Sequence, residues 1–159
     1  MRAKVKNPTE TYVISIAIAL GAGLLSSLVS MGKQSEYAAL KQPTLSPPGW
    51  LFPVVWTVLF ILMGISAARV YLNTPEKCPF ALKLYLLQLV MNVLWTPLYF
   101  VLELRLAAFV LLLILLGTVI YMTSELKKID RTAAYLQIPY IVWLVFAGYL
   151  NLATYILNG

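Results

Sequence analysis

The chain has no histidine, a single cysteine (Cys78) and little charge: 12 Lys or Arg and 6 Asp or Glu among 159 residues, 11% of the whole. Without histidine, the usual ligand sets for zinc and haem iron are missing, as are the Ser-His-Asp and Cys-His constellations. No metal site and no histidine general base are therefore expected. One cysteine closes no internal disulfide, and Cys78 reads as a small residue at a membrane interface. An ordinary soluble domain carries about 25% charged and roughly 45–50% apolar residues. Here the apolar share is 61%, which excludes a soluble globule, and the length allows one domain.

The few charges fall in short clusters that leave five long uncharged stretches. A helix needs about 20 apolar residues to cross the roughly 30 Å hydrocarbon core. The spacing predicts helices over about 11–31, 50–71, 80–102, 105–125 and 132–157. Only Glu103, Leu104 and Arg105 separate the third from the fourth, so these two must form a tight hairpin. Barrel strands would instead show segments of about 10 residues with alternating polarity. The fold class is all-α, a bundle of five transmembrane helices in a single domain, 1–159.

Alternating the spans across a bilayer places Arg2, Lys4, Lys6, Arg69, Lys77, Lys83, Lys127, Lys128 and Arg131 on one side, and Lys33, Lys41 and Arg105 on the other. The positive-inside rule then puts the N-terminus in the cytoplasm and the C-terminus outside. This asymmetry accounts for the net charge of +6, so no nucleic-acid partner is needed. A cleaved signal peptide is the weaker reading of the basic start, because the apolar run after it exceeds the usual h-region. Ala19, Gly23 and Ser27 form a ridge of small residues that would serve internal packing or a dimer interface equally well.

Every acidic residue (Glu10, Glu36, Glu76, Glu103, Glu125 and Asp130) lies in a tail, a loop or at a helix end. Proton-driven carriers keep an ionisable group at mid-depth, and the absence of one favours a pocket of aromatic and neutral polar groups. In the third span Gln88, Asn92, Thr96 and Tyr99 share one helical face. In the fifth, Trp143, Ala147, Leu150, Asn151 and Thr154 do so, with Tyr140 alongside. The bland alternative for such faces is inter-helix hydrogen bonding; large aromatics, one small residue and amides together suit a ligand pocket. Trp56 and Phe60 in the second span would add a wall. Pro97 and Pro139 are expected to kink their helices, whereas Pro53 sits close enough to a helix start to be tolerated. The segment 33–49, stiffened by Pro43, Pro47 and Pro48, is expected to form a lid over one mouth of the bundle.

Three ordered motifs resemble one family. They are Tyr37-Ala-Ala-Leu-Lys-Gln-Pro43 followed by Pro47-Pro48-Gly-Trp50-Leu-Phe-Pro53-Val-Val-Trp56; Gln88-Leu-Val-Met-Asn92-Val-Leu-Trp95-Thr-Pro97-Leu-Tyr-Phe100; and Pro139-Tyr140-Ile-Val-Trp143-Leu-Val-Phe146-Ala147-Gly-Tyr-Leu150-Asn151. Together they are similar to the first loop and the second, third and fifth helices of the TspO/MBR family, the tryptophan-rich sensory proteins and translocator (peripheral benzodiazepine receptor) proteins. The resemblance implies an integral membrane protein, commonly a homodimer, that binds porphyrins such as protoporphyrin IX, haem-type tetrapyrroles and isoquinoline or benzodiazepine-type ligands. No cofactor is required, and porphyrin is a ligand. Position by position it implies a pocket of Tyr37, Pro47, Trp56, Phe60, Thr96, Tyr99, Trp143, Ala147, Leu150 and Asn151, to which the polar face of the third span adds Asn92.

The chain departs from the family at two places. Leu45 stands where many members have a tryptophan. The end Tyr155-Ile-Leu-Asn-Gly159 carries no Lys or Arg after the tyrosine, so the animal members' sterol pattern is missing, which speaks against high-affinity sterol binding and for a bacterial cell membrane. Porphyrin binding with a sensory, sequestering or transport role is the first functional reading. Light-dependent porphyrin degradation, with Trp56 and Trp143 as the photochemical residues and no acid–base machinery, is the second.

Overall fold

A computed structural model describes residues 6–75 and 79–159; Arg2, Lys4, Glu76, Lys77 and Cys78, which entered the charge and cysteine arguments, lie outside them. Among the described residues there are helices and no strands. Five spans are long and apolar enough to cross a membrane, and the protein is an all-α, five-helix membrane bundle.

Helix α1 (Pro8–Val29) starts where Asn7 caps it, its side-chain oxygen accepting from the Glu10 amide at 3.4 Å, with Pro8 preset for the first turn. It begins and ends slightly before the predicted 11–31. The expected lid contains a short helix, α2 (Gln34–Ala39), before the proline-rich stretch. Helix α3 (Leu51–Leu72) carries Pro53 in its first turn, where no intrahelical donor is needed. Helix α4 (Phe80–Thr96) passes at Pro97 into a π-helical turn, Pro97–Val101, in which the Leu102 amide donates to the Pro97 carbonyl at 2.9 Å. Proline has no amide to continue the α pattern, and the wider turn absorbs the defect. Glu103 then reverses the chain with a φ of 54°. Helix α5 (Arg105–Ile129) runs a turn past the predicted end at 125, closing on Lys127 and Lys128, whose charge suits the negative end of a helix.

One expectation needs correcting. The fifth span is not a single helix over 132–157 kinked at Pro139. A short helix, α6 (Arg131–Tyr135), ends at Leu136 and Gln137, and α7 (Ile138–Asn158) begins anew with Pro139 in its first turn. Pro139 has no amide to give to Tyr135, and it disfavours helical backbone in the residue before it, so the chain stops one helix and starts another.

Helix α1 packs chiefly on α3, and α5 on both α4 and α7, while the backbone of α3 comes nearest the fifth span at α6. The α1–α3 seam is close because of glycine: a Cβ on Gly64 would stand 2.5 Å from the Ile16 Cα, and one on Gly23 would stand 2.7 Å from the Phe60 ring. Ala19 is the one buried residue of α1, so the small-residue ridge serves packing inside the chain at Ala19 and Gly23. The remaining core comes from α3, α4, α5 and α7, around Met63, Leu115, Met122 and Leu144. Side chains such as Ile14, Leu25, Val90, Ile114 and Ile156 point outward, as a bilayer-facing surface requires, since lipid is as apolar as the core.

The end of the bundle nearest the N-terminus is tied by charge. Arg69 Nη2 meets Asp130 Oδ2 at 2.9 Å, and Asn73 Nδ2 donates to the same oxygen at 2.6 Å. Asp130 Oδ1 caps α6 by accepting from the Ala133 amide at 2.9 Å. Lys6 Nζ donates to the Tyr71 and Thr74 carbonyls, and Ser66 Oγ donates to the Ala133 carbonyl at 2.8 Å. Burial works to raise the Asp130 carboxyl, but the Ala133 amide, Arg69 and Asn73 outweigh it and hold the group below its ordinary value.

Candidate ligand-binding site

The polar faces of the third and fifth spans meet inside the bundle. Tyr140 is buried; its hydroxyl donates to Gln88 Oε1 at 2.9 Å and accepts from Asn92 Nδ2 at 2.8 Å. Nearer the lid, Trp95 Nε1 donates to Asn151 Oδ1 at 3.2 Å, and Asn151 Nδ2 donates to the Arg105 carbonyl at 2.8 Å. These bonds satisfy amides that would be costly if left bare in a low-dielectric interior. They also show how the two residues are employed: Asn151 uses both ends of its amide to join α4, α5 and α7, and Asn92 joins α4 to α7.

The aromatic residues form two groups. In the first, Trp56 lies 5.6 Å from Phe60, 6.2 Å from Tyr140 and 6.4 Å from Trp143 between ring centroids, the last pair perpendicular at 89°. Phe52 and Phe146 flank Trp143. In the second, Trp95 stacks on Tyr99 at 4.9 Å, and Tyr37 of the lid reaches Tyr99 at 6.2 Å and Phe100 at 5.8 Å. Burial pushes the Tyr37 hydroxyl up to about 12, so it stays a neutral donor at physiological pH.

The backbone of α3 comes nearest the fifth span at α6, and α3 and α7 touch through the aromatic side chains of Phe52, Trp56, Tyr140 and Trp143. A crevice of about 810 Å³ opens between these two helices, walled by Val54, Val58 and Leu59 on α3 and by Pro139, Val142, Trp143 and Phe146 on α7. Its volume lies in the range of small-molecule pockets, and its lining is apolar. Trp143 stands at its inner edge, with the indole Nε1 buried and without a hydrogen-bond partner among the described residues. The first aromatic group thus backs onto a lateral opening, where the sequence reading placed the pocket inside the bundle.

The lid is latched. Asn158 at the end of α7 clamps Lys41, accepting from its amide at 2.9 Å and donating to its carbonyl at 3.0 Å. Tyr149 donates its hydroxyl to the Thr44 carbonyl. Leu45, at the position where a tryptophan is common, holds a φ of 68° and is exposed.

The structure brings Trp56, Phe60 and Trp143 together in one group, and Tyr37 and Tyr99 in the other. Thr96 and Leu150 are buried, Ala147 is half-buried against the core, and Pro47 sits half-buried in the lid in neither aromatic group. Sequence reasoning left Trp95 out of the candidate set, although it stands seven residues after Gln88 and so shares the polar face. It counted Arg105 only as a topology charge. No periodic signal marks Val54, Val58 or Val142, because a wall facing lipid and a wall facing a crevice are equally apolar.

The fold defines a five-span helical membrane protein, and the family its sequence matches supports a membrane sensory or ligand-binding role. Residues 14–157 match the model of the TspO/MBR family, and the chain belongs to that family. It is 39% identical over 140 residues to protein CrtK of Rhodobacter capsulatus, covering 86% of each chain. It is 33% identical over 152 residues to the tryptophan-rich protein TspO of Chlorobaculum tepidum, covering 93% of this chain and 96% of that one. The human translocator protein is 32% identical over 140 residues, covering 86% of this chain and 83% of its own.

Proposed function

We propose that this protein binds porphyrins, protoporphyrin IX first and haem second, together with flat isoquinoline or benzodiazepine-type molecules. The role is sensory, sequestering or transporting in tetrapyrrole and stress homeostasis. The observation that carries the reading is the Trp56–Phe60–Tyr140–Trp143 group, which backs onto an apolar crevice of about 810 Å³ while Trp143 holds an indole N–H without a partner among the described residues. A flat apolar ring system with polar nitrogens suits that combination of ring faces and one free donor. On this reading Tyr37, Pro47, Asn92, Thr96, Tyr99, Ala147, Leu150 and Asn151 shape the pocket around the two tryptophans. No cofactor is required. The lysine and arginine asymmetry supports a cytoplasmic N-terminus in a bacterial cell membrane, and a homodimer is the expected assembly.

Titration of the purified protein with protoporphyrin IX in the dark, followed by tryptophan fluorescence, tests this directly. Saturable quenching is expected, and Ala147→Thr should weaken it about tenfold, the effect of losing roughly 1.4 kcal/mol of fit. Unchanged affinity in a folded Ala147→Thr variant would move the site elsewhere.

The perpendicular Trp56–Trp143 pair favours one further reading, light-driven porphyrin degradation with dioxygen as the oxidant: an indole can pass one electron to the excited ring, the reduced ring passes it to dioxygen, and the reactive oxygen formed there oxidises the ring. Illumination of the complex should then yield products that Trp143→Phe alters. An unchanged product spectrum would remove tryptophan from the chemistry.

A further inference from the structure

Arg105 is the one described arginine or lysine whose side chain is both largely enclosed at the lid end and poorly matched by the fold. Its side chain is 14% exposed, yet the nearest carboxylate, on Glu103, stands 4.0 Å away on a side chain that is 54% exposed. By contrast, Arg69 at the opposite end sits 2.9 Å from a carboxylate that is 6% exposed. A guanidinium withdrawn from water needs a close counter-charge to offset its lost hydration, and Glu103, at the limit of ion-pairing and screened by solvent, supplies little.

The neighbours of Arg105 are neutral hydroxyls, which can accept from it but carry no counter-charge. Arg105 Nε is buried without a partner among the described residues, and so is the hydroxyl of Thr154, a fully buried residue. The Tyr99 hydroxyl faces both Arg105 and Thr154, and Tyr37 of the lid covers Tyr99. Helix α5 begins at Arg105 with no side chain capping it from Leu104, so its positive end adds to the same field. The base of the side chain is fixed, because Asn151 holds the Arg105 carbonyl and is itself held by Trp95. A guanidinium and two hydroxyls converge here, and the nearest carboxylate is the exposed Glu103 at 4.0 Å. The chemical complement is an acceptor-only anion with two oxygens, which an arginine fork engages bidentately.

We propose that Arg105, Tyr99 and Thr154 form an anion subsite at the lid end of the bundle, which takes the carboxylate of a bound ligand whose apolar body lies against the aromatic groups. This rests on the ligand-binding reading above and adds to it a charge requirement: amphiphilic acids are favoured over their neutral counterparts. A carboxylate is favoured over a lipid phosphate because only 14% of the Arg105 side chain is exposed and the lid is tied to α7 by Asn158 and Tyr149.

The test compares protoporphyrin IX with its dimethyl ester, which masks both carboxylates and leaves the ring unchanged, in the dark, with the protein in phosphatidylcholine nanodiscs. The native protein should bind the acid at least about tenfold more tightly than the ester. Arg105→Gln should bring the two within about twofold, the acid losing far more than the ester; partitioning into lipid is common to both proteins and cancels in that comparison. Arg105→Lys should restore part of the preference, supplying charge without the fork. Thr154→Val should cost the acid about threefold and the ester nothing, which keeps the proposal testable if Arg105→Gln loses its helical circular dichroism. Equal binding of acid and ester by the native protein, or a preference that survives Arg105→Gln, would overturn the subsite. A preference that vanishes in the native protein when phosphatidylglycerol is added, with Arg105→Gln unaffected, would assign the cation to lipid headgroups and overturn it too. Saturable binding of neither probe would instead refute the pocket reading on which it rests.

Discussion

The two ends of the bundle handle charge differently. At the end nearest the N-terminus, Arg69 and Asn73 meet Asp130, which caps α6, while Lys6 reaches two carbonyls near the end of α3. At the lid end, Arg105 faces hydroxyls and a distant, exposed Glu103, and the lid is tied through backbone groups. A cation matched within the fold holds helices together. At the lid end the cation lacks a close carboxylate, and that is the ground for the anion subsite proposed above.

The strongest way to break this contrast is to disturb the seam beside which the first end is built. Gly64→Ala forces a Cβ to within 2.5 Å of the Ile16 backbone, and since backbone cannot swing aside the loss should reach about 3 kcal/mol, the upper end for overpacking. Gly21→Ala, with nothing within 4 Å of the added carbon, should cost nothing. Thermal unfolding in matched detergent would compare them, and equal melting of the two variants would deny that the α1–α3 seam is close-packed.

Asp130→Asn should rank next, at about 2 kcal/mol. Breaking a fully buried pair costs roughly 3–5 kcal/mol, but Arg69 is a third exposed and solvent screens it. The Asp130 carboxyl is held below its ordinary value of 3.8. Its contribution is therefore complete above that value and is lost as the pH falls below it through the lowered one. The melting temperature of the native protein should drop between about pH 5 and about pH 2 by more than that of Asp130→Asn; parallel profiles would remove Asp130 from the acid response.

The smallest effect is expected at the lid. Asn158→Ala removes two exposed hydrogen bonds to Lys41, about 1 kcal/mol of local stability. Amide hydrogen exchange at Lys41 should quicken severalfold while global melting stays put. If Asn158→Ala melts as early as Asp130→Asn, the lid end is structural in the same sense as the other, and the contrast fails.

Much of the fold was legible in the residues, for physical reasons. Runs of about 20 uncharged residues can only be spans in this composition, which located α3 and α4 to within a residue or two at their starts. Prolines marked departures from α-helix, but not their form. Pro97 led to a π-helical turn and Pro139 to a restart, because the response of a helix to a missing amide depends on which neighbouring groups take up the freed carbonyls. The aromatic and amide faces were visible as periodicity; whether an amide is spent on another helix was not. Asn151 and Trp95 had to be seen bonded before Asn151 could be understood as a brace.

The sequence by itself determined that the chain lies in a membrane, has five spans and belongs to its family, because these rest on hydropathy, charge placement and local motifs that no distant contact can reverse. Only the tertiary structure decided that a lateral crevice opens between α3 and α7, and that Arg69 meets a buried carboxylate at 2.9 Å while Arg105 meets an exposed one at 4.0 Å. A counter-ion and a cavity are both relations between residues far apart in the chain. Asp130 comes 61 residues after Arg69 in sequence and 2.9 Å away in space, and it is the second number that sets the energy.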